Sequence, residues 1–303
     1  MDLSRVVAVA NGKGGVGKTS LVANLAGEFA RAGSKVLAVD LDVSGNLKLD
    51  LGTVGHDKDD AGRGIFEAIT DDEPLNVVAD VRPGVDWIPG GRRLNWLIPV
   101  AAANDSTLIP RGSVEEAWRK TLAELIEAGG YDMVLLDCPP GNQELQMMAL
   151  AAAKWVVVPM KSDAASLEGL QMLAPLVKKA RQTNEALEWL GIVLFGHGTS
   201  ATRVRQTVNE YLEGMPLELF DTAIRSSEST AQACRMRGLL VHELAERGSN
   251  DSTAVLQALR ARKKDPSVEI PKTVSKTSTS LAGDYAALAN EVATRILARE
   301  GEQ

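Results

Sequence analysis

Six apolar runs punctuate the chain at Val6–Val9, Val36–Val39, Val85–Ile88, Met133–Leu136, Trp155–Pro159 and Ile192–Phe195. A strand with one face in water alternates apolar and polar residues, so runs that do not alternate need cover on both faces. Amphipathic patterns of helical spacing lie between most of them, as at Leu21–Arg31, Val114–Ala128 and Leu167–Ala180. Buried strands alternating with helices predict an α/β fold: a doubly wound, mostly parallel sheet flanked by helices. With 303 residues, 45% of them hydrophobic, there is ample material for a core, and a single domain over 1–303 is expected.

The polar segments modify this picture. Residues 54–64 read as a loop after the second strand. In 248–282, 10 of the 35 residues are Ser or Thr, and six basic side chains face three acidic ones. A basic insert is expected there, with a short helix over Thr253–Lys263 and a flexible stretch after it, before a last helix at Asp284–Arg299. The run LIPRGS at 108–113 has the look of an engineered protease site, but its mid-chain position favours coincidence. Cys138 and Cys234 are the only cysteines, too few for a disulfide framework. No run approaches the roughly 18 apolar residues of a spanning helix, and a cytoplasmic location is expected. A net charge of −7 argues against a uniformly basic nucleic-acid binder, so any DNA contact must be patchy.

The chemistry begins at NGKGGVGKTS, residues 11–20, placed between the first apolar run and the first helical pattern. Glycines allow a backbone path whose N–H groups turn onto an anion, and a helix N-terminus adds partial positive charge. Gly12, Gly14, Gly15 and Gly17 supply the freedom. Gly17-Lys18-Thr19 closes a full phosphate-loop pattern, with Lys18 aimed at the β- and γ-phosphates and Thr19 at magnesium. Residues Gly12 to Ser20, Val16 included, are therefore the expected nucleotide cradle, and Lys13 is a second lysine the pattern does not require.

Asp40 and Asp42 close the second apolar run, and a side-chain period of two points both the same way, at the strand ends where ligands bind in such sheets. Asp137 follows the run Met133–Leu136, where a carboxylate can hold a magnesium-bound water beside the loop. Cys138, next to it, reads as a small packed residue rather than a nucleophile.

Four stretches together resemble the ParA/MinD family of deviant Walker ATPases: KGGVGKT at 13–19, VDLDVSGN at 39–46, YDMVLLDCPP at 131–140 and VVVPMKSDAASLEGL at 156–170. A weaker likeness runs over 223–243. The resemblance implies ATP and ADP as ligands, magnesium as cofactor, and a nucleotide-sandwich homodimer when ATP is bound. It gives Lys13 a purpose, since the family's first loop lysine reaches the partner subunit's phosphates. It also implies that Asp42 orients the attacking water while Asp40 supports magnesium or water. Position in the family pattern places Phe195, Gly196, Ile224 and Arg225 around the adenine. The stretch Asp42-Val43-Ser44-Gly45-Asn46 departs from the D-P-Q-G-N usual among DNA-segregating members.

For function the resemblance implies a partition ATPase that binds duplex DNA without sequence preference and is released when a ParB-type centromere-binding partner stimulates hydrolysis. Candidate DNA contacts are Arg203, Arg205, Arg225, Arg235, Arg237, Lys263 and Lys264, with Arg235 and Arg237 expected to act as a pair. The tail ANEVATRILAREGEQ has small apolar residues and an acidic end, a poor match to anionic lipid. The alternatives are an ATPase that positions a protein cargo or membrane assembly, and an electron carrier like the nitrogenase iron protein, which needs two well-placed cysteines.

Overall fold

A computed structural model describes residues 2–103, 109–161, 164–197, 201–212, 217–248, 260, 262 and 277–301. Eight strands form one sheet: β1 (Val6–Val9), β2 (Val36–Asp40), β3 (Val78–Arg82), β4 (Val85–Ile88), β5 (Met133–Asp137), β6 (Trp155–Met160), β7 (Glu188–His197) and β8 (Ile224–Arg225). Their spatial order is β3-β4-β2-β5-β1-β6-β7-β8, and every pairing is parallel except β3 with β4. The non-alternating runs have the predicted cause. Val6 and Ala8 enter one core with Leu37 and Val39, while Val7 and Val9 enter the other with Val36 and Ala38.

Helices cover both faces. On the first lie α3 (Arg63–Thr70), α5 (Val114–Gly129), α6 (Gln143–Ala152) and α7 (Ala164–Ala180). On the second lie α1 (Lys18–Arg31), α2 (Leu47–Asp50), a helical turn over 241–248 numbered α10, and α11 (Thr277–Gly301). The remaining helices are α4 (Leu97–Ala103), α8 (Ala201–Leu212) and α9 (Glu228–Arg237), with a 3-10 turn at Arg92–Trp96.

Several expectations change. β3 shows no apolar run because it is a polar edge strand, bulged against β4, with Asp80 at φ 52°; such edges resist pairing with other chains. Ile224–Arg225 is a short strand paired with β7. α11 begins at Thr277, seven residues before the expected Asp284, because Ser278 and Leu281 are buried and extend its packed face. The predicted insert at 248–282 thus ends in a packed helix, and the short helix expected over Thr253–Lys263 falls outside the described residues except for helical Arg260 and Arg262. Ile109 is buried and Ser113 closes a capping box with Glu116 at the start of α5, so the described part of the 108–113 run belongs to the fold. Among the described residues no helix is long and apolar enough to cross a membrane.

The topology positions the site. β1 is flanked by β5 and β6, and Asp40, the last residue of β2, is the register partner of Asp137, the last residue of β5. The glycine loop and both carboxylates therefore meet at the carboxyl edge of the sheet, where open α/β sheets bind ligands.

Candidate functional site

The loop from Asn11 to Gly17 leaves β1 and turns into α1. Gly17 caps the helix at φ 96°, a left-handed conformation that favours glycine. A Cβ on it would also lie 2.3 Å from the Phe195 ring, so the ring packs against bare backbone. α1 has no side-chain cap and no acidic residue in its first turn. Its leading N–H groups at Lys18, Thr19 and Ser20 thus have no intrahelical acceptor, which is an anion-binding end by construction.

Not every loop amide turns inward as the glycine pattern suggests. Gly12 donates to the Gly169 carbonyl of α7 at 3.2 Å, and Lys13 donates its backbone N–H to the Asn11 side chain at 2.8 Å. Asn11 in turn donates to the Pro159 carbonyl at 2.9 Å, so its buried amide ties the loop to β6. Val16 is buried and anchors the loop centre, while Gly14 and Gly15 are exposed. The Lys18 ammonium curls over the loop onto the carbonyls of Lys13 at 2.8 Å and Asn11 at 3.3 Å. Burial pulls its pKa below the usual lysine range, opposed by the charge of Asp137. Lys13 stands exposed at the rim.

The three carboxylates differ sharply. Asp40 is fully buried, and its two oxygens accept the N–H groups of Asp42 and Leu47, each at 3.0 Å, so it braces the turn that presents Asp42. Burial raises its pKa to about 7 despite those bonds. Asp42 is half-buried and accepts the Ser44 N–H at 2.9 Å. Asp137 is 1% exposed, and neither of its oxygens has a hydrogen bond in good geometry. Burial, then the neighbouring Asp40 charge, push its carboxyl well above the carboxylate range; the Thr19 hydroxyl and Lys18 pull the other way. An orphaned buried carboxylate facing a hydroxyl, beside a second carboxylate, is a donor set of hard oxygens suited to magnesium. Cys138 is buried in the core with its thiol pushed up by burial, as a packed residue should be.

Beside the loop opens a cavity of about 270 Å³. Phe195, Gly196, Ile224 and Arg225 all line it together with Ser20, so the structure joins the four expected base-side residues to the phosphate loop. A larger hollow of about 580 Å³ lies among α4 to α7 and includes no residue of the loop or its carboxylates.

The expected DNA contacts are dispersed. Arg205 donates to the carbonyls of Phe220 and Asp221, clamping its own chain. Arg225 forks onto Asp284 at 2.6 and 2.7 Å. Arg235 and Arg237 do not share a face: residues two apart on a helix point different ways, and Arg235, itself exposed, is bonded to the buried Asp50 at 2.8 Å while Arg237 is exposed elsewhere on α9. Arg203 lies on α8 with its side chain outside the described set, as do Lys263 and Lys264 entirely. Sequence reasoning missed Asn11, Asp50 and Tyr285. Of these only Asn11 had a signal, as a polar residue directly between a buried strand and the loop; the other two join the site through tertiary packing.

Comparison with known proteins agrees with this geometry. Residues 4–189 match a family described as an AAA domain. The chromosome-partitioning ATPase Soj of Thermus thermophilus is 38% identical over 192 residues, covering 63% of this chain and 68% of Soj. The chromosome partitioning protein ParA of Myxococcus xanthus is 29% identical, over 86% of this chain and 89% of its own. The fold of the Pyrococcus furiosus cell division ATPase MinD superposes with a TM-score of 0.63 at 22% identity, over 96% of this chain and 99% of MinD. A glycine cradle on an uncapped helix, paired strand-end carboxylates and these matches lead to one statement: the chain belongs to the AAA-domain family, among the ParA/MinD-type P-loop ATPases.

Proposed function

We propose that the chain works as one P-loop domain, a magnesium-dependent ATP hydrolase that partitions DNA. The observation that carries the chemistry is Asp137, a buried carboxylate whose oxygens have no hydrogen bond in good geometry and which feels the Thr19 hydroxyl and the Lys18 charge. An isolated buried charge is costly and persists where a ligand completes it. Magnesium held near Thr19, Asp137 and Asp40 would neutralise phosphate charge when bound. The residues around it do the rest. The first-turn amides of α1 hold phosphate oxygens, and Lys18 leaves its loop carbonyls to reach the β- and γ-phosphates. Asp42, presented on the turn that Asp40 braces, orients the attacking water. Phe195, Gly196, Ile224 and Arg225 enclose the nucleoside.

In this reading Lys13 acts in trans. Its exposure at the rim suits a residue that crosses to a second copy's phosphates in an ATP-bound homodimer, where an added cation stabilises charge in phosphoryl transfer. The dimer binds duplex DNA through its backbone on the cytoplasmic nucleoid, and a ParB-type partner triggers hydrolysis and release. The likeness to Soj and ParA supports partition as the task. The burial of Leu281, Tyr285, Leu288, Val292 and Ile296 speaks against a lipid-binding role for α11, whose apolar face is already covered.

ATPase activity across a dilution series, with and without duplex DNA, tests this directly. The expected result is a rate per protomer that rises with concentration and with DNA, and that Lys13→Ala abolishes while ATP binding survives. A concentration-independent rate that Lys13→Ala leaves intact would refute the dimer mechanism. ATP-dependent sedimentation with liposomes instead of DNA would turn the reading to the positioning of a membrane assembly.

A further inference from the structure

Asp50 closes the four-residue helix α2 and is buried, a carboxylate that needs partners. Arg235 supplies them from α9: its Nε donates to Oδ1 and Oδ2 at 3.2 and 3.3 Å, and its Nη2 to Oδ2 at 2.8 Å. The Ser20 hydroxyl completes the group, donating to Asp50 Oδ1 at 3.3 Å and accepting from Arg235 Nη2 at 3.5 Å. Three elements meet here: the first turn of the phosphate-binding helix, the helix that follows the Asp42 turn, and α9.

α9 needs such a tie. Only Thr230 and Cys234 of its ten residues are buried, so little apolar packing fixes it. Yet it walls the 270 Å³ cavity through Ala231 and Cys234, next to the Ser226–Glu228 stretch that enters it. Asp50 faces the same space. Burial and then the Asp50 charge push the Cys234 thiol up to about 12 and raise the Tyr285 hydroxyl.

We infer that the Asp50–Arg235 ion pair is a positioning clamp for nucleotide affinity: it holds the α9 wall of the nucleoside cavity against the Ser20 turn of the phosphate-binding helix. Arg235 thus acts through α9 rather than on phosphate or DNA. The inference rests on the proposed ATP site, and it separates binding from chemistry, because neither residue touches the Lys18, Asp42 and Asp137 group.

The test is steady-state ATPase kinetics with direct ATP binding on the full chain, comparing Asp50→Asn, Arg235→Gln, the double variant and Arg235→Lys, with Gln232→Ala on the exposed side of α9 as control. Each single neutral variant is expected to raise KM and Kd for ATP by about tenfold, the scale of a misplaced positioning element. The double variant should be no worse than either single, kcat at saturating ATP should stay within about twofold, and Arg235→Lys should recover part of the loss. Unchanged Kd in both single variants would overturn the clamp, as would equal losses in kcat and affinity. Thermal unfolding separates a clamp from a mere staple: a stability loss with full ATP affinity in the folded fraction also overturns it. A wild-type chain that binds no ATP would instead sink the nucleotide reading on which the clamp depends.

Discussion

Removing Asp137 should stabilise the nucleotide-free protein while disabling it. Both carboxylate oxygens are buried and neither has a hydrogen bond in good geometry, the Thr19 hydroxyl offsetting only part of the cost of burial. An unsatisfied buried polar group costs about 1–3 kcal/mol, so the pair together reach about 2–6 kcal/mol. Truncation to Ala leaves a small void, worth about 1–2 kcal/mol in lost contacts. The balance favours Asp137→Ala by about 0–5 kcal/mol, and loss of the neighbouring charge relieves Asp40 in the same direction. For a chain this long, about 1 kcal/mol moves the melting temperature by about 1.6 °C, giving a rise of up to about 8 °C without ligand. Magnesium and ATP should reverse the ranking: at a hundredfold excess over Kd the wild type gains about 2.7 kcal/mol, and the variant gains far less. Differential scanning calorimetry in three conditions, ligand-free, ATP with EDTA and ATP with magnesium, reads this out. A variant that melts lower than wild type without ligand, yet keeps the full magnesium-dependent shift, would refute the reasoning. Stability given up at a functional carboxylate is the expected trade in such a site.

Two further predictions concern the loop and the helix behind it. Gly17→Ala meets a left-handed backbone and the Phe195 ring at once, for a cost of about 1–2 kcal/mol in conformation and about 1–3 kcal/mol in overpacking. Phe195→Ala in the same chain should recover the second part only; urea midpoints that show no recovery would remove the ring contact from the account. His242, buried with Nδ1 3.5 Å from Glu28 Oε1, has its pKa lowered by burial, with Glu28 pulling back upward, Arg31 lowering it and Glu243 and Glu246 raising it. Because the unfolded chain binds the proton more readily, this residue's contribution to stability is full above its unfolded value near 6.5 and is lost as pH falls through the lower folded value. Urea midpoints between pH 5 and 7.5 should therefore drop on the acid side for wild type and stay flatter for His242→Gln; parallel curves would exclude His242 as the source.

What could be read from the chain and what could not divide along a physical line. Val6–Val9 was legible to the residue because a strand covered on both faces needs apolar side chains at every position. The phosphate loop was legible for a related reason: its chemistry is backbone geometry, and glycine is the residue that local geometry selects. β3 was hidden because an edge strand is shaped by what it must avoid, and its Asp80 and Arg82 look like loop. The direction of Arg235 relative to Arg237 was hidden for a different reason. Sequence spacing describes how residues share a helix face, while the direction of Arg235 is decided by Asp50, 185 positions away. A guanidinium reads the same in a sequence whether it meets solvent, a phosphate or a buried carboxylate. Partners brought together by the crossing of distant elements leave no local trace, so the loop could be inferred from adjacent residues, whereas the wall of the nucleoside cavity emerged only when α1, α2, α9 and α11 were placed together.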